Sequence, residues 1–319
     1  MSHLVGDGCT LASFMNNWAL VARYGSPDHE EVLPLNPHFI HFPRTSSPLA
    51  EAPDMGQQHA VLSTHVMRKF VFPNSKLSYL KKAVVSITND IPTRVEVLTS
   101  LLYKTAVAVA TTNPGCFKPS YLFIMADTRK KFVKKLPQTT VGNFVSMMMV
   151  PTRHESETAL SMLVAEIKKQ KLQLEGVESV QQVAEEFELM PSKLGSTSLF
   201  GFPFNKVDFG WGKLKAKALA LRSADRNGFL LMDTPDGDGI EAHVMLEKED
   251  METFQNDKEL LSFCQVYMTR SCFHFAKFIC NCVNLLLNYL LIIYQSCQVM
   301  LLLLLFKCFK EDLNINNTK

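Results

Sequence analysis

A chain of 319 residues, 47% hydrophobic and 20% charged, has the composition of a folded protein and can bury the core of one large or two ordinary domains. Lys+Arg at 33 against Asp+Glu at 31 leaves no basic field strong enough to recruit nucleic acid, so that partner is excluded on charge. Only Cys9 and Cys116 of the eight cysteines precede residue 263, which reads as a cytosolic body without disulfides; the later pair Cys280 and Cys282 is C-x-C, without a second pair at zinc-site spacing, so no metal is expected.

No basic region followed by a short apolar core opens the chain, so the expectation is synthesis in the cytosol without a secretory signal. Residues 7 to 24 then read as a helix. Asp7 can cap it, and Leu11, Phe14, Met15, Trp18, Val21 and Ala22 recur at a spacing that makes one apolar stripe in need of a sheet. Residues 25 to 60 carry Pro27, Pro34, Pro37, Pro43, Pro48 and Pro53 with little periodicity, the pattern of a long irregular connection.

From residue 65 the pattern becomes mixed α/β. A strand is expected over His65 to Phe72, a helix from Asn74 or Ser75, and a second helix from about Thr93 to Thr111. Strands are expected over Tyr121 to Ala126 and Val141 to Val150, followed by a charged amphipathic helix over Ser156 to Leu174. Further strands fit Val207 to Phe209, Gly228 to Met232 and Gly239 to Leu246. The last two flank Asp233-Thr-Pro-Asp-Gly-Asp-Gly, a run of turn formers that reads as a hairpin loop; a calcium loop fails because Met245 stands where a Glu ligand is required.

The tail differs from everything before it. Between Lys277 and Lys307 there is no charged residue, and Leu285 to Leu291 and Met300 to Phe306 are strongly apolar, long enough to cross a bilayer of about 30 Å. Asn281, Asn284, Asn288, Gln295 and Gln298 interrupt the run, and its residue bias is also that of translated A/T-rich noncoding sequence, so a translated intron or frameshift, a membrane anchor and a buried or aggregated tail all stand as readings. Any membrane contact is expected only through residues 278–306.

Two motifs carry chemistry. His3-Leu-Val-Gly-Asp7-Gly8 is H-x-x-x-D-G: a neutral imidazole can take a proton from an alcohol or amine while a nearby carboxylate fixes local geometry. Alone this spacing is common, and an exposed chain end is the plainer reading. Asp208-Phe209-Gly210-Trp211-Gly212 specifies five residues, a match expected on the order of once in millions of random positions. The kinase use of Asp-Phe-Gly fails because the chain has no H-R-D loop and no Gly-rich phosphate loop. Glycines flanking a Trp suit a tight turn that plugs a domain seam with an aromatic ring, so this motif reads as structural.

Both motifs in this order resemble the signature pair of the plant BAHD acyl-CoA-dependent acyltransferases, nearest in flavour to alkaloid acetyltransferases of the vinorine synthase kind. The likeness extends through Phe39 to Pro43, Arg94-Val-Glu-Val-Leu-Thr, Ala126-Asp-Thr-Arg129, Gly142-Asn143, Thr197-Ser198 and Gly228 to Ala242, and covers residues 1 to about 263. It implies an α/β, chloramphenicol-acetyltransferase-like two-domain fold with a channel between the domains, the first domain mostly missing here, and a non-family apolar tail. The implied division is 1–24 for the remnant of the first domain, 25–64 for the crossover, 65–263 for the second domain and 264–319 for the tail. With only two residues before His3, the stripe of the first helix is expected to be exposed or wrongly packed.

By the same resemblance, His3 corresponds to the general base and Asp7 to a carboxylate paired with an arginine, for which Arg129 is the matching position. Asn143 lies near the active site, and Asp208, Phe209, Gly210, Trp211 and Gly212 are architectural. Acyl-CoA, with acetyl-CoA favoured, is the implied co-substrate, the acceptor is a specialised-metabolite hydroxyl or amine, no cofactor is bound permanently, and the protein is a cytoplasmic monomer. Departures from the family pattern are Asp127-Thr128 for Asn-Leu, Leu199 for Trp, Gly201 for Arg and Leu214 for Pro. The alternative reading is a catalytically inactive truncated fragment or membrane-associated interaction protein.

Overall fold

Asp7 starts the first helix as its sequence position predicts. Its carboxylate accepts the Thr10 N–H at 3.0 Å at the head of α1 (Gly8–Tyr24), and Gly25, at φ 70°, closes the helix with its N–H on the Val21 carbonyl. The computed structural model describes residues 5–37, 64–88, 91–112, 116–132, 135–175, 193–212 and 227–267, which all lie in one unit running from Met1 to Met268. Within α1 the buried positions are small or polar (Cys9, Thr10, Ala12 and Ala19), whereas Phe14 is 42% and Trp18 54% exposed. Leu11, Met15 and Val21 are half-buried and Ala22 is exposed, so the predicted stripe is not the face that packs. The helix docks through its small residues because its N-terminal turn must approach other backbone closely.

Part of the proline-rich connection is ordered into a pairing that periodicity does not reveal: β1 (Asn36–Pro37) lies parallel to a later two-residue strand. The remainder of it, residues 38–63, lies outside the described residues. Next come β2 (His65–Pro73), α2 (Asn74–Thr88), α3 (Arg94–Thr112) and β3 (Ser120–Asp127), each within a residue or two of its expected bounds. The strand expected over Val141 to Val150 is two, β4 (Thr140–Val141), the partner of β1, and β5 (Val145–Thr152). Gly142, at φ 151°, breaks it because its carbonyl turns aside to receive the Asp7 N–H and the Thr10 hydroxyl.

The helix expected from Ser156 begins as a separate 3-10 turn, Glu155–Thr158, and resumes after Ala159 as α4 (Leu160–Gln173). β6 (Lys193–Ser198) went unpredicted because Lys-Leu-Gly-Ser-Thr-Ser has little strand propensity; parallel neighbours on both sides supply its ladder. A 3-10 turn, Pro203–Lys206, follows, and the strand expected over Val207 to Phe209 does not form. There the Asp208 carboxylate takes the Gly210 and Gly212 N–H groups, holding the chain in a turn. β7 (Gly228–Asp233) and β8 (Gly239–Glu247) form the expected hairpin, and α5 (Lys248–Phe254), α6 (Lys258–Leu261) and β9 (Gln265–Tyr267) complete the order.

Seven strands make one mixed sheet in the order β5-β3-β6-β7-β8-β2-β9. The β3–β6 and β6–β7 pairs are parallel and the others antiparallel. Alternation puts Leu122, Ile124, Val150, Phe229, Leu231, Ala242, Val244, Phe70 and Phe72 on one face, where Leu77 and Leu80 of α2, Leu98, Leu101 and Leu102 of α3, Leu163 and Ile167 of α4, and Phe254 of α5 cover them. Each such side chain contributes about 1.5–3 kcal/mol on burial. Burial also pushes the Tyr103 phenol up to about 12, and its oxygen accepts the Thr152 hydroxyl at 3.0 Å.

The β2–β8 pairing leaves no room at Gly239: a Cβ there would stand 2.4 Å from the Phe72 carbonyl oxygen. Backbone of two paired strands cannot give way as a side chain can. Gly239→Ala is therefore expected to destabilise by about 1–3 kcal/mol or more, read as a lowered urea midpoint; an unchanged midpoint would mean that the two strands separate freely at this end.

Among the described residues no helix is long and apolar enough to cross a membrane, and no group of three or more His, Cys, Asp or Glu side chains could hold a metal ion. Residues 278–306 lie outside the described residues.

Candidate active site

The carboxylate of Asp7 is the centre of a densely hydrogen-bonded, buried polar cluster. It is 3% exposed and caps α1, so its backbone position is set by the helix start and its side chain by what lies across from it. Arg129, wholly buried, grips it with two bonds, Nη1 to Oδ2 at 2.7 Å and Nη2 to Oδ1 at 3.0 Å. Oδ1 also accepts the Thr10 N–H at 3.0 Å and Oδ2 the Phe144 N–H at 2.9 Å. Burial by itself would raise the Asp7 carboxyl, but the Arg129 bonds and the Thr10 and Phe144 amides outweigh it and hold the group below the usual carboxylate range.

Arg129 is as fully used as its partner. Nε and Nη2 donate to the Thr140 carbonyl, at 3.3 and 3.0 Å, and Nη2 also reaches the Gly142 carbonyl and the Thr10 hydroxyl. Nη1 bonds a second carboxylate, Asp127 Oδ1, at 3.0 Å, and the guanidinium lies over the Phe144 ring at 4.8 Å. Thr10 locks onto Gly142 from both sides, donating to its carbonyl at 2.9 Å and accepting its N–H at 3.2 Å. Burial would lower the guanidinium, but Asp7 overrides it and raises Arg129 above its ordinary value. The node thus bolts the start of α1 to the end of β3 and the β4–β5 junction, and its chemistry is rigidity: neither Asp7 oxygen is left to move a proton.

Of the residues singled out in the sequence, the structure brings Asp7 and Arg129 together. His3 lies outside the described residues. Asn143 is exposed in the β4–β5 link, between the node residues Gly142 and Phe144. Asp208 Oδ1 accepts the Gly210 and Gly212 N–H groups at 2.8 and 3.0 Å, with Arg23 at 3.7 Å from its other oxygen. Both glycines have positive φ, 99° and 102°, which a side chain would resist. Phe209 is the ring that packs, edge-on to Trp18 at 5.3 Å, while Trp211 is 91% exposed and stacks on Phe209 at 5.9 Å.

Sequence reasoning missed Thr10, Thr140 and Phe144 as members of the node; a threonine three residues after a capping aspartate is the one local signal, and the other two are joined only by folding. The departures have visible consequences. Thr128 is buried, with its hydroxyl and N–H both on the Phe144 carbonyl at 2.9 Å. Leu199 and the Phe202 ring press on the motif turn, 2.7 and 3.2 Å from where a Gly8 Cβ would stand. Gly201, at φ 80°, donates its N–H to Asp233. Leu214 lies outside the described residues.

The Transferase family model matches residues 1–261, most of the chain. The chain belongs to the BAHD acyltransferase family. It is 32% identical over 282 residues to the 17,18-epoxy-17-hydroxycur-19-ene N-malonyltransferase of Strychnos nux-vomica, covering 83% of this chain and 59% of that one. The crystal structure of vinorine synthase matches 82% of this chain and 61% of its own, at TM-score 0.62 and 24% identity. That of Fusarium graminearum TRI101 with coenzyme A and deoxynivalenol matches 82% and 65%, at TM-score 0.60 and 15% identity. The fold is accordingly the chloramphenicol-acetyltransferase-like α/β fold of this BAHD chain's relatives, and the chain spans about three fifths of the length of the curated relatives it matches.

Cys9 sits in the first turn of α1, next to the node residue Thr10, donating its thiol to Gln138 Oε1 at 3.0 Å, and burial pushes its pKa to about 11. Cys264 is pushed to about 12 by burial, whereas Cys116 is exposed. Alkylation at neutral pH followed by peptide mapping should label Cys116 well ahead of Cys9 and Cys264. Equal labelling of Cys9 would show that the α1 docking opens readily.

Proposed function

We propose that the protein transfers an acyl group from acyl-CoA to a hydroxyl or amine of a plant specialised metabolite, with His3 as the general base. The observation that carries this reading is the saturation of Asp7. A carboxylate held by Arg129, Thr10 and Phe144 pins the H-x-x-x-D-G turn and leaves the histidine of that motif as its one proton acceptor near neutral pH. The imidazole would take the acceptor's proton as its oxygen or nitrogen attacks the thioester carbonyl. The tetrahedral intermediate then collapses, the carbon–sulfur bond breaks, and the thiolate leaves as CoA. Arg129 and Asp7 act by positioning, Asn143 borders the site, and the Asp208–Gly212 turn shapes the CoA side.

Coenzyme A in the TRI101 complex and the acyl transfer named for the Strychnos relative support an acyl-CoA donor. Acetyl remains the favoured group by likeness to the vinorine synthase kind, and malonyl is the competitor. Within this reading residues 1–24 belong to the first acyltransferase domain and 65–263 to the second, and the protein works as a cytoplasmic monomer. The test is thiol release from acetyl-CoA and from malonyl-CoA, each with a panel of alcohol and amine acceptors. Acceptor-dependent release is expected from one of the two donors; release from neither would favour the second reading, an inactive interaction protein, for which the exposed Phe14 and Trp18 speak.

A further inference from the structure

The sheet has a second face, away from the helices, and its composition is unusual where it meets the node. Ile124 and Ala126 of β3 turn toward the helical core, so Met125 and Asp127 turn away from it. Register sets Met125 opposite Met147 and Asp127 opposite Val145, with Phe123 opposite Met149 one step further. Met125 is 39% exposed, and Met147 and Met149 are half-buried. Thioether side chains make a soft, polarizable wall that moulds to flat apolar ligands. The wall ends on a carboxylate two residues along the strand, about 7 Å away.

That carboxylate carries charge beyond what its bonding needs. Asp127 Oδ1 accepts both the Arg129 backbone N–H and Arg129 Nη1, each at 3.0 Å. Both bonds fall on one oxygen, so the single amide oxygen of an asparagine could accept both; aspartate adds the negative charge. Asp7 and Asp127 together set two carboxylates against one guanidinium. The nearby cations are Lys130, exposed on the following turn, and Lys131, which is ion-paired with Glu175. The Asp127 side chain is 22% exposed, whereas that of Asp7 is 2% exposed, so the excess charge is presented on the outer side of the node, at the end of the methionine wall.

We propose that Met125, Met147 and Asp127 form an acceptor subsite for a flat, apolar amine in its protonated form, the methionines taking the ring system and Asp127 the ammonium. This rests on the acyl-transfer reading for its meaning but not for its test. Calorimetric binding to the full chain, without acyl donor, compares tetrahydro-β-carboline, cationic at pH 7, with tetrahydrocarbazole, its carbocyclic analogue of the same shape. The cation is expected to bind about tenfold tighter. Asp127→Asn should abolish that preference and Asp127→Glu retain it, while Met147→Ala should weaken both probes several-fold.

Equal binding of the two probes, a preference that survives Asp127→Asn, or loss of both probes alike in that variant would overturn the subsite. The last result would assign Asp127 to holding Arg129 alone. Tight, Asp127-dependent binding, with no thiol release from acetyl-CoA or malonyl-CoA across the panel of alcohol and amine acceptors, would instead sink the transfer reading and leave the subsite standing.

Discussion

Arg129→Met should cost about 3–5 kcal/mol of folding stability, because it strands the Asp7 carboxylate in a buried site with only two amides to answer it. Methionine keeps much of the volume, so the loss reports charge and hydrogen bonding more than a cavity. In urea unfolding the midpoint should fall sharply with little change in slope. The exposed pair Lys104–Glu259, also in contact at 2.6 Å, is the control: Lys104→Met should change stability by about 0–1 kcal/mol, since solvent screens it. Adding Asp7→Leu to Arg129→Met should recover part of the loss, because two apolar side chains no longer leave a buried charge unpaired. A small effect of Arg129→Met would mean that the node forms only after the rest of the fold is secure.

The same pair sets an acid limit. The Asp7 carboxyl is lower in the folded than in the unfolded chain, so its stabilisation is complete above the unfolded value of about 3.9 and is lost as pH falls through the lower folded value. The stability gap between the wild type and Asp7→Asn should therefore be constant from pH 7 to about 5 and close below about 4. A gap that closed between pH 5 and 7 would point to a histidine rather than Asp7.

His3→Ala is expected to lower kcat/KM for acyl transfer by about 10²–10⁴-fold while leaving the urea midpoint nearly unchanged. The two readouts separate the motif's two roles. Asp7 lies in the stabilising node and His3 four residues before it, so loss at His3 should fall on the reaction and loss at Asp7 on the fold and reaction together. Activity unchanged in His3→Ala would end the general-base assignment.

The amino-acid order by itself determined a good deal. Alternation and helical spacing sufficed for β2, α2, α3, β3 and the β7–β8 hairpin, since each has a strong local pattern and turn formers at its ends. The two motifs identified the family, because a five-residue match is specific even without any coordinates. The helix cap at Asp7 was legible for the same reason: capping is a contact three residues long.

What only the tertiary structure decided are contacts between residues far apart. β6 is a strand because β3 and β7 flank it, not because Gly195, Ser196, Thr197 and Ser198 favour one. Val207 to Phe209 failed as a strand because the Val207 N–H bonds back to the Phe204 carbonyl and the Asp208 carboxylate takes the Gly210 and Gly212 N–H groups beyond it, curling the chain into a turn. The apolar stripe of α1 was legible, and its exposure at Phe14, Trp18 and Ala22 matches the expectation, whereas the small-residue face that docks was not, since periodicity identifies an apolar face without saying which face another element reaches. That Arg129 answers Asp7 across more than a hundred residues, with Thr10, Gly142, Phe144 and Asp127 sharing the bond network, depends on the path of the backbone through space. Composition does not encode that path; the burial of the sheet face against its helices does, because it fixes where the strand ends carrying these groups must meet.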